Sequence, residues 1–214
     1  MCGGFNGYTL DDTWFFIPSM GGTNDMFWVK YNEQTNNFSY PTERNSYAMA
    51  SWNNGIIMSG GIMDDRDAFE TWYFHCQDGN DKYNGRMLNH ETLVQELQSN
   101  CRWHKMIQPN GNTPVGELHN IRLASLSQHD ILVLSWRDTK NRCTWIFRKL
   151  SEDMIVSINQ SGEWMCIGSN DNMPSLIQPV FVGLSYMTAV LYGGNYMSTI
   201  HTFVYNNAIP NASA

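Results

Sequence analysis

The apolar positions of this chain come in pairs of short runs split by turn residues. SYAMASWNNGIIMSGG ends at Gly61, HNIRLASLSQHDILVLSW at Trp136 and QPVFVGLSYMTAVLYGG at Gly194. Asn53-Asn54-Gly55 and Gln128-His129-Asp130 lie between members of a pair and supply hairpin-turn chemistry. Each pair therefore reads as two antiparallel strands, a and b. A third run, strand c, follows at a nearly constant offset: Thr71-Trp72-Tyr73-Phe74, Thr144-Trp145-Ile146-Phe147 and Thr202-Phe203-Val204-Tyr205. A lone Trp then marks strand d, at Trp28, Trp103 and Trp164, ahead of a loop with a proline at Pro41, Pro114 and Pro174.

The opening residues fit the same scheme. MCGGFNGYTLDDTWFF carries Gly3-Gly4 and then Thr13-Trp14-Phe15-Phe16, so the sequence opens inside a unit, at the end of a strand b. Gly60-Gly61 and Gly193-Gly194 hold the doublet position in two later units, and Ser135-Trp136 replaces it in the third. Successive side chains of a strand point to opposite faces, so Trp14 and Phe15 diverge although both are large and apolar. That predicts sheets covered on both sides, stacked face against face. Residues 77–99 break the rhythm. Asn89 is placed to cap a short helix over about 90–98 with Leu93, Val94 and Leu97 on one side, either packing on the neighbouring sheet or forming a partner-binding protrusion.

A four-stranded unit with a glycine doublet, a polar loop, an aromatic strand, then Trp, Pro and two apolar strands resembles the kelch repeat of β-propellers. QPNGNTPVGELH, residues 108–119, is similar to that family's Pro-x-x-Arg-x-x-His loop, with Pro114 and His119 in place and Glu117 where Arg is usual. The resemblance implies an all-β fold of kelch-type propeller blades, each a four-stranded antiparallel sheet. The propeller segment spans 1–207, with blades at about 1–40 (partial), 44–107, 115–166 and 176–207 (partial), an insertion at 77–99 and a tail at 208–214. Propellers take roughly 4–8 blades of four strands, so an incomplete ring is expected. A longer parent chain, a second copy or a second protein would complete it.

Composition narrows the function classes. Only 15% of the 214 residues are charged against 13% aromatic, which favours packed sheet over solvated helices. A net charge of −7 speaks against nucleic acid as a partner, since that needs a basic stripe. No apolar run approaches the roughly 20 residues that cross a bilayer, and no signal peptide follows Met1, so no membrane partner is expected. Five cysteines without framework spacing make an intracellular, cytoplasmic and reduced protein the default.

Candidate chemistry is sparse. His75, Cys76, Cys101 and His104 are zinc-ligand types, but neighbours on a strand point to opposite faces, so neither a metal nor another cofactor is expected. Cys76 and Cys101 are placed as cross-strand neighbours, either packed thiols or a disulfide. No Gly-x-Ser-x-Gly nucleophile elbow occurs, and no catalytic residue is assigned. A galactose-oxidase-like metal enzyme on kelch-like blades is the competing reading, with Tyr73, His75 and Cys76 supplying ligand types on one strand. The resemblance implies instead that b–c and d–a loops share a face that binds a peptide or protein partner, in an adaptor, actin-linked or other scaffold role. Asp11, Asp12, Asp64, Asp65, Arg66, Asp67, Arg137, Lys140, Arg142, Asn195 and Tyr196 belong to the b–c loops on this reading. Glu43, Arg44, Asn110 and Asn112 belong to the d–a loops.

Overall fold

A computed structural model describes residues 2–17, 26–31, 40–53, 55–68, 70–76, 90–106, 121–126, 130–136, 142–149, 162–169, 180–185, 188–193 and 200–204. Its strands form four antiparallel sheets and one small hairpin. The first sheet joins β1 (Cys2–Phe5), β2 (Thr9–Ile17) and β3 (Phe27–Tyr31). The second has β4 (Ala48–Trp52) and β5 (Gly55–Ser59). A hairpin of β6 (Ile62–Met63) and β7 (Arg66–Asp67) follows, and then β8 (Thr71–Cys76), helix α1 (His90–Asn100) and β9 (Cys101–Lys105). Its order is β4-β5-β8-β9, so the strands pair as they come along the chain. The third sheet repeats that order with β10 (Ile121–Ser125), β11 (Asp130–Trp136), β12 (Arg142–Lys149) and β13 (Gly162–Ser169). The fourth contains β14 (Val180–Ser185), β15 (Thr188–Tyr192) and β16 (Ile200–Val204).

Alternation along the aromatic strands stacks these sheets. On β8, Trp72 and Phe74 join Cys2 and Tyr31 of the first sheet in one buried cluster, while Tyr73 joins Ile121, Leu123, Trp145, Phe147 and Trp164 of the third. On β12, Trp145 and Phe147 face the second sheet and Ile146 packs with Phe181, Ala189 and Leu191 of the fourth. A period of two thus gives each inner sheet two apolar faces. Burying an aromatic removes about 150–250 Å² from water, so these rows dominate the cohesion of the stack. Strands β4 and β10 meet at Ser51 and Ser125, whose hydroxyls are 2.9 Å apart.

Local chemistry fixes the turns. Asn53, between β4 and β5, adopts a φ of 46°, a left-handed conformation that Asn tolerates better than most residues. Asp64 and Asp65 both take positive φ, 47° and 58°, between β6 and β7. That is the conformation a two-residue hairpin turn requires at both central positions. The helix begins at His90, with Glu91 in its first turn where the backbone dipole favours a carboxylate. Leu97 packs on the cluster between the first and second sheets. The residue expected to cap the helix, Asn89, and the side chain of Leu93 lie outside the described set.

Cys76, the last residue of β8, is directly opposite Cys101, the first of β9, and the two form a disulfide with Cα atoms 3.8 Å apart. Of the two alternatives open in the sequence, the structure shows the bonded one.

Candidate functional site

Strands β1 and β2, the linker entering the second sheet and the β6–β7 hairpin meet at one place. Arg44 N–H donates to the Leu10 carbonyl at 3.1 Å, and Gly4 N–H donates to the Arg44 carbonyl at 3.0 Å. Asn45 and Ile62 exchange both backbone hydrogen bonds, at 3.1 and 2.8 Å. The linker entering the second sheet is therefore tied on one side to β1 and β2 of the first sheet and on the other to the β6–β7 hairpin. The glycine doublets make the approach possible. A Cβ on Gly3 would sit 2.7 Å from the Arg44 carbonyl oxygen, and one on Gly61 2.7 Å from that of Asn45. Both glycines also hold positive φ, so side chains are excluded twice over.

The tie gathers several of the residues expected to contact a partner. Asp11, Glu43, Asp64, Asp65 and Arg66 are exposed, and Asp67 is half-buried. Asp11 and Asp12 lie within β2 rather than in a loop, because that strand begins at Thr9. Asp12 accepts a 2.8 Å hydrogen bond from Trp14 Nε1 and pairs with Lys30 at 3.5 Å. Its carboxylate is committed to the sheet.

Arg44 departs further. The sequence placed it on a partner-facing loop, and its side chain is 1% exposed. Its guanidinium donates to the Thr42 carbonyl at 3.0 Å, the Thr42 hydroxyl at 3.1 Å, the Gly60 carbonyl at 3.4 Å and Glu70 Oε2 at 2.8 Å. It fastens the loops from inside and is not available at the surface. Arg142 opens β12, and its side chain lies outside the described set, as do residues Arg137, Lys140, Asn110, Asn112, Asn195 and Tyr196.

Glu70 is the electrostatic hub beneath this end. It accepts from Arg44, from Lys105 and from Trp72 Nε1, the last at 3.0 Å. Burial alone would raise its pKa, but the donors Lys105, Arg44 and Trp72 outweigh it and hold the carboxyl at about 2. The arrangement repeats one sheet earlier. Asp12 and Glu70 each lie two residues before a strand-c Trp, bond its indole, and pair with a strand-d lysine. Lys30 and Lys105 in turn sit 5.9 and 5.8 Å from the Trp14 and Trp72 ring centroids. The sequence reading missed Glu70, Lys30 and Lys105. Their signal was the recurring acid-Thr-Trp triplet in Asp12-Thr13-Trp14 and Glu70-Thr71-Trp72.

The His/Cys set lies at the other end of β8 and β9. With Cys76 and Cys101 bonded to each other, the histidines remain on the opposite face, His75 opposite Arg102 and His104 opposite Tyr73. His75 stacks on Tyr73 with ring centroids 5.5 Å apart. Burial first, and then the neighbouring His75 and Arg102, push the His104 pKa down. Among the described residues no three His, Cys, Asp or Glu side chains gather as a metal site, and no helix is long and apolar enough to cross a membrane.

No protein-family model matches the chain, and no curated protein matches it.

Proposed function

We propose that the chain is a kelch-type propeller segment serving as a non-enzymatic protein-interaction module, with its acidic loop end as the docking face. One observation carries the reading. Backbone hydrogen bonds join β1 and β2 of the first sheet, the linker through Glu43–Asn45 and the β6–β7 hairpin. Asp11, Glu43, Asp64 and Asp65 are exposed around this junction, with Arg66 the one exposed cation among the described candidates. An end so charged steers and orders a lysine- or arginine-rich peptide or protein segment, and does so mainly through association rate. The stacked sheets and their glycine-spaced loops support the kelch comparison.

The Cys76–Cys101 bond bears on the compartment. The cysteine count alone favours a reduced, cytoplasmic setting, whereas a cross-strand disulfide favours an oxidising one.

The test is a binding measurement on partners recovered by crosslinking, comparing the natural chain with an Asp64→Lys/Asp65→Lys variant. Charge reversal is expected to weaken binding at least tenfold at low salt, with the difference shrinking as salt screens the face. Equal affinity of the two proteins, independent of salt, retires the acidic-face reading.

A further inference from the structure

One aromatic pair recurs in the same register on three sheets. Phe16 lies opposite Trp28, Phe74 opposite Trp103 and Phe147 opposite Trp164. The ring centroids are 5.2, 5.0 and 4.7 Å apart. Inside the stack each pair is covered by the sheet before it. Phe15 and Tyr31 of the first sheet lie 5.4 and 5.8 Å from Phe74, and Trp52 of the second lies 5.1 Å from Phe147. No described residue covers the first sheet's pair in this way. Phe16 and Trp28 are 48% and 54% exposed.

The opposite end of the stack carries the matching surface. Phe181, Ala189 and Leu191 of the fourth sheet are buried against the third. The alternate positions Val180, Val182, Leu184, Tyr192 and Ile200 face outward and are exposed. They occupy on the fourth sheet the face that Ala48, Trp52, Ile57 and Tyr73 occupy on the second, which receives the Phe147–Trp164 pair. The molecule thus displays both halves of an interface that it builds repeatedly within itself.

We propose that a second copy of this chain docks tail to head on these faces, the fourth sheet of one copy covering Phe16 and Trp28 of the other. Size favours a closed pair over an open string. Three strands about five residues long make a face of roughly 14 by 17 Å, on the order of 250 Å². One such contact is far below the roughly 800 Å² per partner of a standard interface, and two contacts made together by a closed pair come closer to it. Closure also removes the unmatched end that lets heterologous contacts grow into fibres. Twice four sheets lies within the roughly 4–8 of radial stacks. The inference is independent of the acidic-face reading, and either can fail alone.

The experiment is light scattering on the full chain across a dilution series, with tryptophan emission followed in parallel. A mass of twice 24.6 kDa at tens of micromolar is expected, falling to the monomer on dilution while emission shifts red as Trp28 meets water. Trp28→Lys and Val182→Lys, each changing one face, are each expected to raise the dissociation constant at least tenfold. Far-UV circular dichroism establishes that the variants fold, and the wild-type series decides the question if one does not. A monomer throughout, with unchanging emission, overturns the proposal and assigns the faces to another partner. A dimer that survives either single substitution also overturns it, because a tail-to-head contact needs both faces.

Discussion

Arg44 reaches Glu70 from beneath the loops, Nη2 donating to Oε2 at 2.8 Å with 1% of the arginine side chain exposed and 26% of the glutamate. Removing the arginine leaves the Thr42 and Gly60 acceptors beside it without their donor, while Glu70 keeps Lys105 and Trp72, so the cost is that of unsatisfied buried polar groups, about 1–3 kcal/mol. Arg44→Ala is expected to lower stability by that order in chemical denaturation. It would also loosen the acidic end, since three loop acceptors lose their donor with it. Glu43→Ala, one residue earlier and exposed, is expected to change stability by less than about 0.5 kcal/mol.

The same carboxylate sets an acid limit. Glu70 titrates at about 2 in the folded chain, below its unfolded value of 4.5. The unfolded chain therefore binds the proton first, and the stabilisation present above pH 4.5 is lost as pH falls towards 2. His104 acts in a higher window. Its folded pKa is lowered by burial, His75 and Arg102, so its contribution is complete above about pH 6.5 and declines below it. Melting temperature against pH is expected to fall in two stages on acidification. His104→Gln should remove the upper stage and leave the lower one.

The disulfide closes a loop between residues 25 apart in sequence, which constrains the unfolded chain by about 3 kcal/mol in the chain-entropy view. Reduction is expected to lower the melting temperature by about 6–12 °C for a domain of this size. A Cys76→Ala/Cys101→Ala variant should melt with the reduced protein and show no response to reductant.

The third sheet lacks the acid that serves the first two. Trp145 Nε1 is buried with no hydrogen-bond partner among the described residues, and in the sequence Cys143 stands two residues before it, where Asp12 and Glu70 stand before Trp14 and Trp72. Cys143→Glu is expected to supply the missing acceptor and raise stability by about 1 kcal/mol, read from the midpoint of urea unfolding. The opposing residue is Cys166 rather than a lysine, so the gain should stay below that of the Glu70 site.

How much of this was legible beforehand depends on the kind of information. Strand succession and the two-faced character of Trp72-Tyr73-Phe74 were readable, because alternation needs no knowledge of neighbours. The neighbourly relation of Cys76 and Cys101 followed from the same register, whereas their oxidation did not. Arg44 and Asp12 read as loop charges because a sequence shows the residue type and not the direction of its side chain. Their roles depend on where Glu70, Trp14 and Lys30 arrive after the sheets have formed. Trp28, Trp103 and Trp164 look alike in the sequence. One is exposed and two are buried because their sheets hold different ranks in the stack.

Helix α1 ends at Asn100 and β9 starts at the next residue, Cys101, already bonded to the final residue of β8. The segment between Cys76 and Cys101 thus leaves and returns through two points riveted together at the rim of the second sheet. Replacing residues 77–89 is expected to leave the pairing of β8 with β9 and the melting temperature unchanged, which makes this the natural place to graft a tag or an epitope.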